Sequence, residues 1–89
     1  MARNSKKSGK GTKVRSQRDR RRDVLVELGE KVRGFRHERG LTQEALAGSL
    51  NLSVAYVSLI ERGGRNPPYT TVVAIARALG VSPRDIFED

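Results

Sequence analysis

Ten of the chain's eighteen Lys and Arg residues lie in its first 22 positions: Arg3, Lys6, Lys7, Lys10, Lys13, Arg15, Arg18, Arg20, Arg21 and Arg22. Asp19 is the one acid among them. A cluster this dense is suited to polyanions, and its simplest chemistry is the neutralisation of phosphates with release of their counterions. Residues 23–89 carry eight basic and nine acidic side chains, so the net charge of +8 belongs to the first quarter of the chain. Catalysis has little to work with. His37 is the single histidine and there is no cysteine. The carboxylates are scattered along helical patterns, which gives neither an acid–base pair nor a metal cluster. No glycine-rich phosphate loop follows a strand pattern. An enzyme is not expected, and neither is a cofactor, a metal or a small-molecule ligand.

A chain of 89 residues has room for one domain. Its hydrophobic fraction of 36% is concentrated after Asp23, which divides it into a disordered basic tail at 1–22 and a folded unit at 23–89. Three readings of the tail stand side by side: a solubilising segment, an arm that grips phosphates or enters a minor groove, and a membrane-attracted segment. The last lacks an amphipathic partner. No apolar run approaches the roughly 18 residues of a membrane span, and no apolar stretch follows the basic start as in a secretory signal. A cytoplasmic location is expected.

The elements that must position any binding residues are all helical. Leu25, Leu28, Val32 and Phe35 recur at spacings of three and four, which predicts a helix firm from Asp23 to Gly40, with QRDRRR at 17–22 either its frayed start or the end of the tail. Asp23 suits its start, and Arg36 and Arg39 suit its C-terminal dipole. Gly34 weakens it but would permit a close helix contact. Thr42 caps a second helix carrying Leu46, Ala47 and Leu50. Asn51 tolerates the left-handed backbone of a tight turn. Ser53 caps a third helix, in which Val57 and Ile60 share an inward face with Tyr56 beside them. Gly63 and Gly64 provide its exit, and Gly64–Pro68 is a loop by composition. Pro68 precedes a fourth helix with the stripe Val72, Ile75, Ala76 and Leu79, ended by Gly80. Ser82 and Pro83 open a short last helix, whose Phe87 is expected to close the core. The motif at about 42–62 is helix, turn, helix. No strand pattern or internal repeat is seen.

Several stretches resemble the Xre/lambda-repressor-like (Cro/C1-type) family of bacterial and phage DNA-binding domains. They are LTQEALA at 41–47, SVAYVSLIERG at 53–63, RNP at 65–67 and IARALGVSPRDIF at 75–87. The run NLSVAYVSLIERGGRN at 51–66 and the chain length look most like the small regulators that include restriction–modification controllers. The resemblance implies an all-α, five-helix domain in which the second helix of the motif reads double-stranded DNA. It also implies an ion pair between Arg36 and Glu61, a backbone contact from Gln43, and a twofold homodimer on adjacent half-sites.

A major groove about 12 Å wide admits one helix. With Val57, Ile60 and part of Tyr56 held by the core, Val54, Ala55, Ser58 and Leu59 point outward, and these are also the family's base-facing positions. Here the chain departs from the common pattern, which places Arg, Gln or Asn at several of them. Thymine-methyl contact and one hydroxyl remain as direct readout, with DNA shape or a second half-site adding discrimination. Expected backbone contacts are Thr42, Gln43, Ser53, Tyr56, Arg62, Arg65 and Asn66, with tail contacts from Arg15, Arg18, Arg20, Arg21 and Arg22. Candidate dimer residues are Tyr69, Val73, Arg77, Ile86 and Phe87. The main expectation is a dimeric, sequence-specific transcription regulator. The competing one is a protein-interaction, antitoxin or accessory module on the same fold.

Overall fold

The structure, a computed structural model, describes residues 16–87. Arg15 and the rest of the expected tail before Ser16 lie outside the described residues. Within them all regular structure is helical: α1 (Gln17–Glu38), α2 (Gln43–Leu50), α3 (Val54–Glu61), α4 (Tyr69–Leu79) and α5 (Pro83–Phe87). No helix among them is long and apolar enough to cross a membrane.

The local chemistry explains most boundaries. The Thr42 hydroxyl accepts the Ala45 N–H at 3.0 Å and the Ser53 hydroxyl accepts that of Tyr56 at 3.1 Å, so each caps its helix as expected. Asn51 closes α2 in the left-handed region with φ of 58°. At the head of α5 the Ser82 backbone N–H donates to the Asp85 carboxylate at 3.0 Å. Of the two readings of residues 17–22, the structure takes the helical one. The helix begins at Gln17 and its cap is Ser16 rather than Asp23, the Ser16 hydroxyl accepting the Asp19 N–H at 3.1 Å. Arg is a good helix former and Asp19 complements the positive end of the dipole, so a stretch without apolar periodicity still folds as helix. Arg18, Arg20, Arg21 and Arg22 therefore belong to a helix and not to a tail, and the expected boundary at 22/23 falls inside α1.

α1 packs on α3, α4 and α5, while α2 packs on α3 and α4. The core is Val32, Leu46, Ala47, Val57, Ile60, Val72, Ile75, Ala76, Leu79 and Ile86, with Leu28, Phe35, Leu41, Leu52 and Tyr56 packed at its edge. Ile86 rather than Phe87 closes this core. Ile86 is 3% exposed and Phe87 58%, because the single turn of α5 can aim only one of two adjacent side chains inward. The close helix contact lies at Gly29 and not at Gly34. A Cβ on Gly29 would stand 2.5 Å from the Glu61 carbonyl oxygen, whereas one on Gly34 would meet nothing within 4 Å. The absent side chain at Gly29 lets the backbones of α1 and α3 touch.

Candidate nucleic-acid interface

Burial turns α3 into a two-sided rod. Val57 and Ile60 are each 1% exposed and fix its inner side. Val54 and Ala55 are exposed on the other side, and Ser58 and Leu59 are half-buried there. Leu59 leans toward the exit loop, where a Cβ on Gly64 would meet its Cδ2 at 3.2 Å. None of the four is packed in the protein's interior. Beside them lies an open concavity of about 400 Å³, lined by Asn51, Leu52, Ser53, Ala55, Tyr56, Leu59 and Arg65. The Thr42 and Ser53 hydroxyls act as cap acceptors and each retains a hydrogen to donate. Tyr56 is half-buried, and Arg62, Arg65 and Asn66 are exposed where the chain leaves α3.

One buried polar cluster sets the rod's orientation. Arg36 Nε donates to Glu61 Oε2 at 2.6 Å and Arg36 Nη2 to Glu61 Oε1 at 3.0 Å, a bidentate pair. Arg36 Nη1 also reaches the Leu41 carbonyl at 2.8 Å, and Nη2 lies 3.2 Å from His37 Nε2. Gln43 Nε2 donates to Glu61 Oε1 at 3.0 Å. Burial by itself pushes the Glu61 carboxyl upward. The hydrogen bonds from Arg36 and Gln43, with the attraction of Arg36 and Arg33, outweigh it and hold the group below the ordinary carboxylate range. The hydrogen bond to Glu61 raises Arg36, against its own burial. Both side chains are shielded, at 8% and 3% exposure. Such a pair fixes geometry more surely than it adds stability. This is the Arg36–Glu61 pair that the family resemblance implies, and it joins α1 to α3. Gln43, expected at a DNA phosphate, is tied through one amide hydrogen to this cluster.

Three contacts gave no signal in the sequence. Gly29 is one. Gly63 is a second: it holds φ of 78°, and a Cβ there would stand 2.9 Å from Val26 Cγ2. The exit of α3 therefore rests on α1. The third is Arg39, whose Nη1 donates to the Leu79 carbonyl at 2.6 Å and ties the end of α1 to the end of α4. On the far side, Tyr69 and Phe87 are 67% and 58% exposed. They stack with centroids 6.3 Å apart and planes at 15°. Val73 is half-buried and Arg77 exposed on the same helix as Tyr69, α4. Ile86, the remaining dimer candidate, is spent on the core and offers nothing to a partner.

Two short capped helices across a left-handed turn, locked by a buried pair with an outer face left open, define a small helix-turn-helix domain. The family described as "Helix-turn-helix domain" matches residues 27–86, and the chain belongs to it. The chain is 41% identical over 67 residues to the control protein C.BamHI of Bacillus amyloliquefaciens, covering 74% of this chain and 83% of that one. Among solved structures, it is similar to the restriction–modification controller protein C.AhdI from Aeromonas hydrophila. The TM-score is 0.71 at 38% identity, over 73% of this chain and 98% of that one. It is also similar to the controller protein C.Esp1396I, solved as a tetramer in complex with its natural 35 base-pair operator. There the TM-score is 0.66 at 36% identity, over 72% and 84%. Against the HTH-type transcriptional regulator DdrOP3 of Deinococcus deserti, the chain spans about half that protein's length, 49%.

Proposed function

We propose that the protein is a DNA-binding transcription regulator that seats α3 in the major groove of double-stranded DNA and acts as a homodimer. The observation that carries this is the open Val54–Leu59 face of a rod otherwise locked into the core, in a chain so similar to a controller protein held on its operator. Val54, Ala55, Ser58 and Leu59 meet base edges. Thr42, Ser53, Tyr56, Arg62, Arg65 and Asn66 meet the sugar-phosphate backbone, while Gln43 orients Glu61 and offers its second amide hydrogen to a phosphate. Tyr69 and Phe87, with Val73 and Arg77, form the dimer surface. The protein works in the cytoplasm as a binder and not as an enzyme.

Selection from random duplexes followed by sequencing should return paired half-sites. Because the reading face is largely apolar, thymine methyls should matter. Replacing one contacted thymidine by deoxyuridine removes one methyl, about 0.8 kcal/mol and hence about fourfold in affinity. Loss of affinity at no thymidine in the selected site would remove α3 from the bases. A second reading rests on the exposed Val54, at 39%: the same face docks a protein. That reading predicts salt-steep but sequence-blind DNA binding.

A further inference from the structure

Residues 17–22 are the first turns of α1, so their arginines have a definite register. At about 3.6 residues per turn, Arg18 and Arg22 fall within about 20° of Gly29 around α1, Arg20 on the opposite side, and Arg21 about a quarter turn away. Gly29 is where the backbone of α3 touches α1, and Val26 is where Gly63 rests. Arg22 and Arg18 therefore continue, by about 6 and 12 Å along the axis, the line that runs off the C-terminal end of α3. Both are exposed, as is Arg62 at the C-terminal end of α3, while Arg65 turns back to line the concavity beside Ser53 and Tyr56. We infer that Arg18 and Arg22 form a helical rail that grips phosphates of the duplex flanking the site read by α3. Arg20 and Arg21 do not share this role. The partner is double-stranded DNA, by charge: Arg22 lies between Gly29 and Val26 around α1 and Arg18 about 20° outside Gly29, while the acids of the same stretch, Asp19 and Asp23, lie about 20° and 60° beyond Val26, so two guanidinium groups outweigh the one carboxylate near the contact.

This rests on the DNA-binding reading above and sharpens it, since an unstructured arm would use its arginines interchangeably. The test uses the full chain and its selected duplex, with flanking base pairs either present or trimmed. Binding is titrated against salt for wild type, R18Q/R22Q and R20Q/R21Q, which lose equal charge and keep a good helix former. With flanks present, R18Q/R22Q should lower the log–log salt slope by about 1.8, at about 0.9 per phosphate released, and R20Q/R21Q by less than about 0.5. Trimming the flanks should bring R18Q/R22Q and wild type together. Sequence preference should stay unchanged in both variants. Equal losses in the two doubles, or a wild-type slope in R18Q/R22Q, would overturn the rail while leaving the reading helix in place. A wild type with no preferred site would instead sink the DNA reading itself. Equal far-ultraviolet helicity of the two variants guards against a melted α1.

Discussion

Gly29→Ala tests the contact on which the placement of α3 depends. The added Cβ would crowd the Ile60 carbonyl oxygen and lie 2.5 Å from the Glu61 carbonyl oxygen and 2.7 Å from its carbon, where ordinary contact begins at 3.4 Å. All three obstacles are backbone, so no rotamer change relieves them, and α1 and α3 must part by roughly 1 Å to restore ordinary contact. That motion would stretch the 2.6 Å Arg36–Glu61 bond and loosen Val57 and Ile60, each 1% exposed. Overpacking costs about 1–3 kcal/mol, and a rigid obstacle sits at the upper end. Alanine returns about 1 kcal/mol of helix propensity. The net loss is about 2 kcal/mol, or roughly 8–15 °C in Tm for a domain this small. Gly34→Ala is the matched control in the same helix. With nothing within 4 Å of its Cβ, it should gain up to about 1 kcal/mol. Thermal melts by circular dichroism and urea titration read both. If G29A melted as high as G34A, the backbone contact between α1 and α3 would not be what seats the reading helix.

Glu61→Gln leaves the buried Arg36 uncompensated and should cost about 2–4 kcal/mol by urea unfolding. Because the folded Glu61 carboxyl lies below its ordinary value of 4.5, its contribution is fully present above that pH. The contribution is lost as pH falls through the folded value, so wild type and E61Q should converge in urea midpoint in acid. Ser53→Ala removes the α3 cap and should cost about 1 kcal/mol without changing the preferred site, by melting and by repeated selection. Arg65→Ala should weaken binding evenly across sequences and lower the salt slope by about 0.9. Tyr69→Ala with Phe87→Ala should weaken self-association more than tenfold in sedimentation, with little effect on the core because both rings are exposed.

Deuterium exchange would separate the N-terminal turns of α1 from a tail, because helical amides from Arg20 onward are hydrogen-bonded and those of an arm are not. This boundary was only half legible. Ser16 followed three residues later by Asp19 is a capping signal, but the run between Gln17 and Arg22 buries no apolar stripe, so periodicity is silent there. Gly34 and Gly29 look alike in sequence, and so do Ile86 and Phe87. What separates them is which neighbour crosses at that height of the helix.

The amino-acid sequence alone determined the features whose cause spans a few residues. The caps at Thr42 and Ser53, the left-handed Asn51, and the inward stripe of Val57 and Ile60 all follow from chemistry within one turn. Family resemblance supplied the Arg36–Glu61 pair. The tertiary structure decided what depends on distant segments meeting. It added Gln43 to that pair across 18 positions and tied Arg39 to Leu79 across 40. It set Gly29 against the end of α3 and aligned Arg18 and Arg22 with the same line. Local hydrogen bonds form wherever their residues stand, whereas the crossing of two helices is fixed only when the whole core is packed at once.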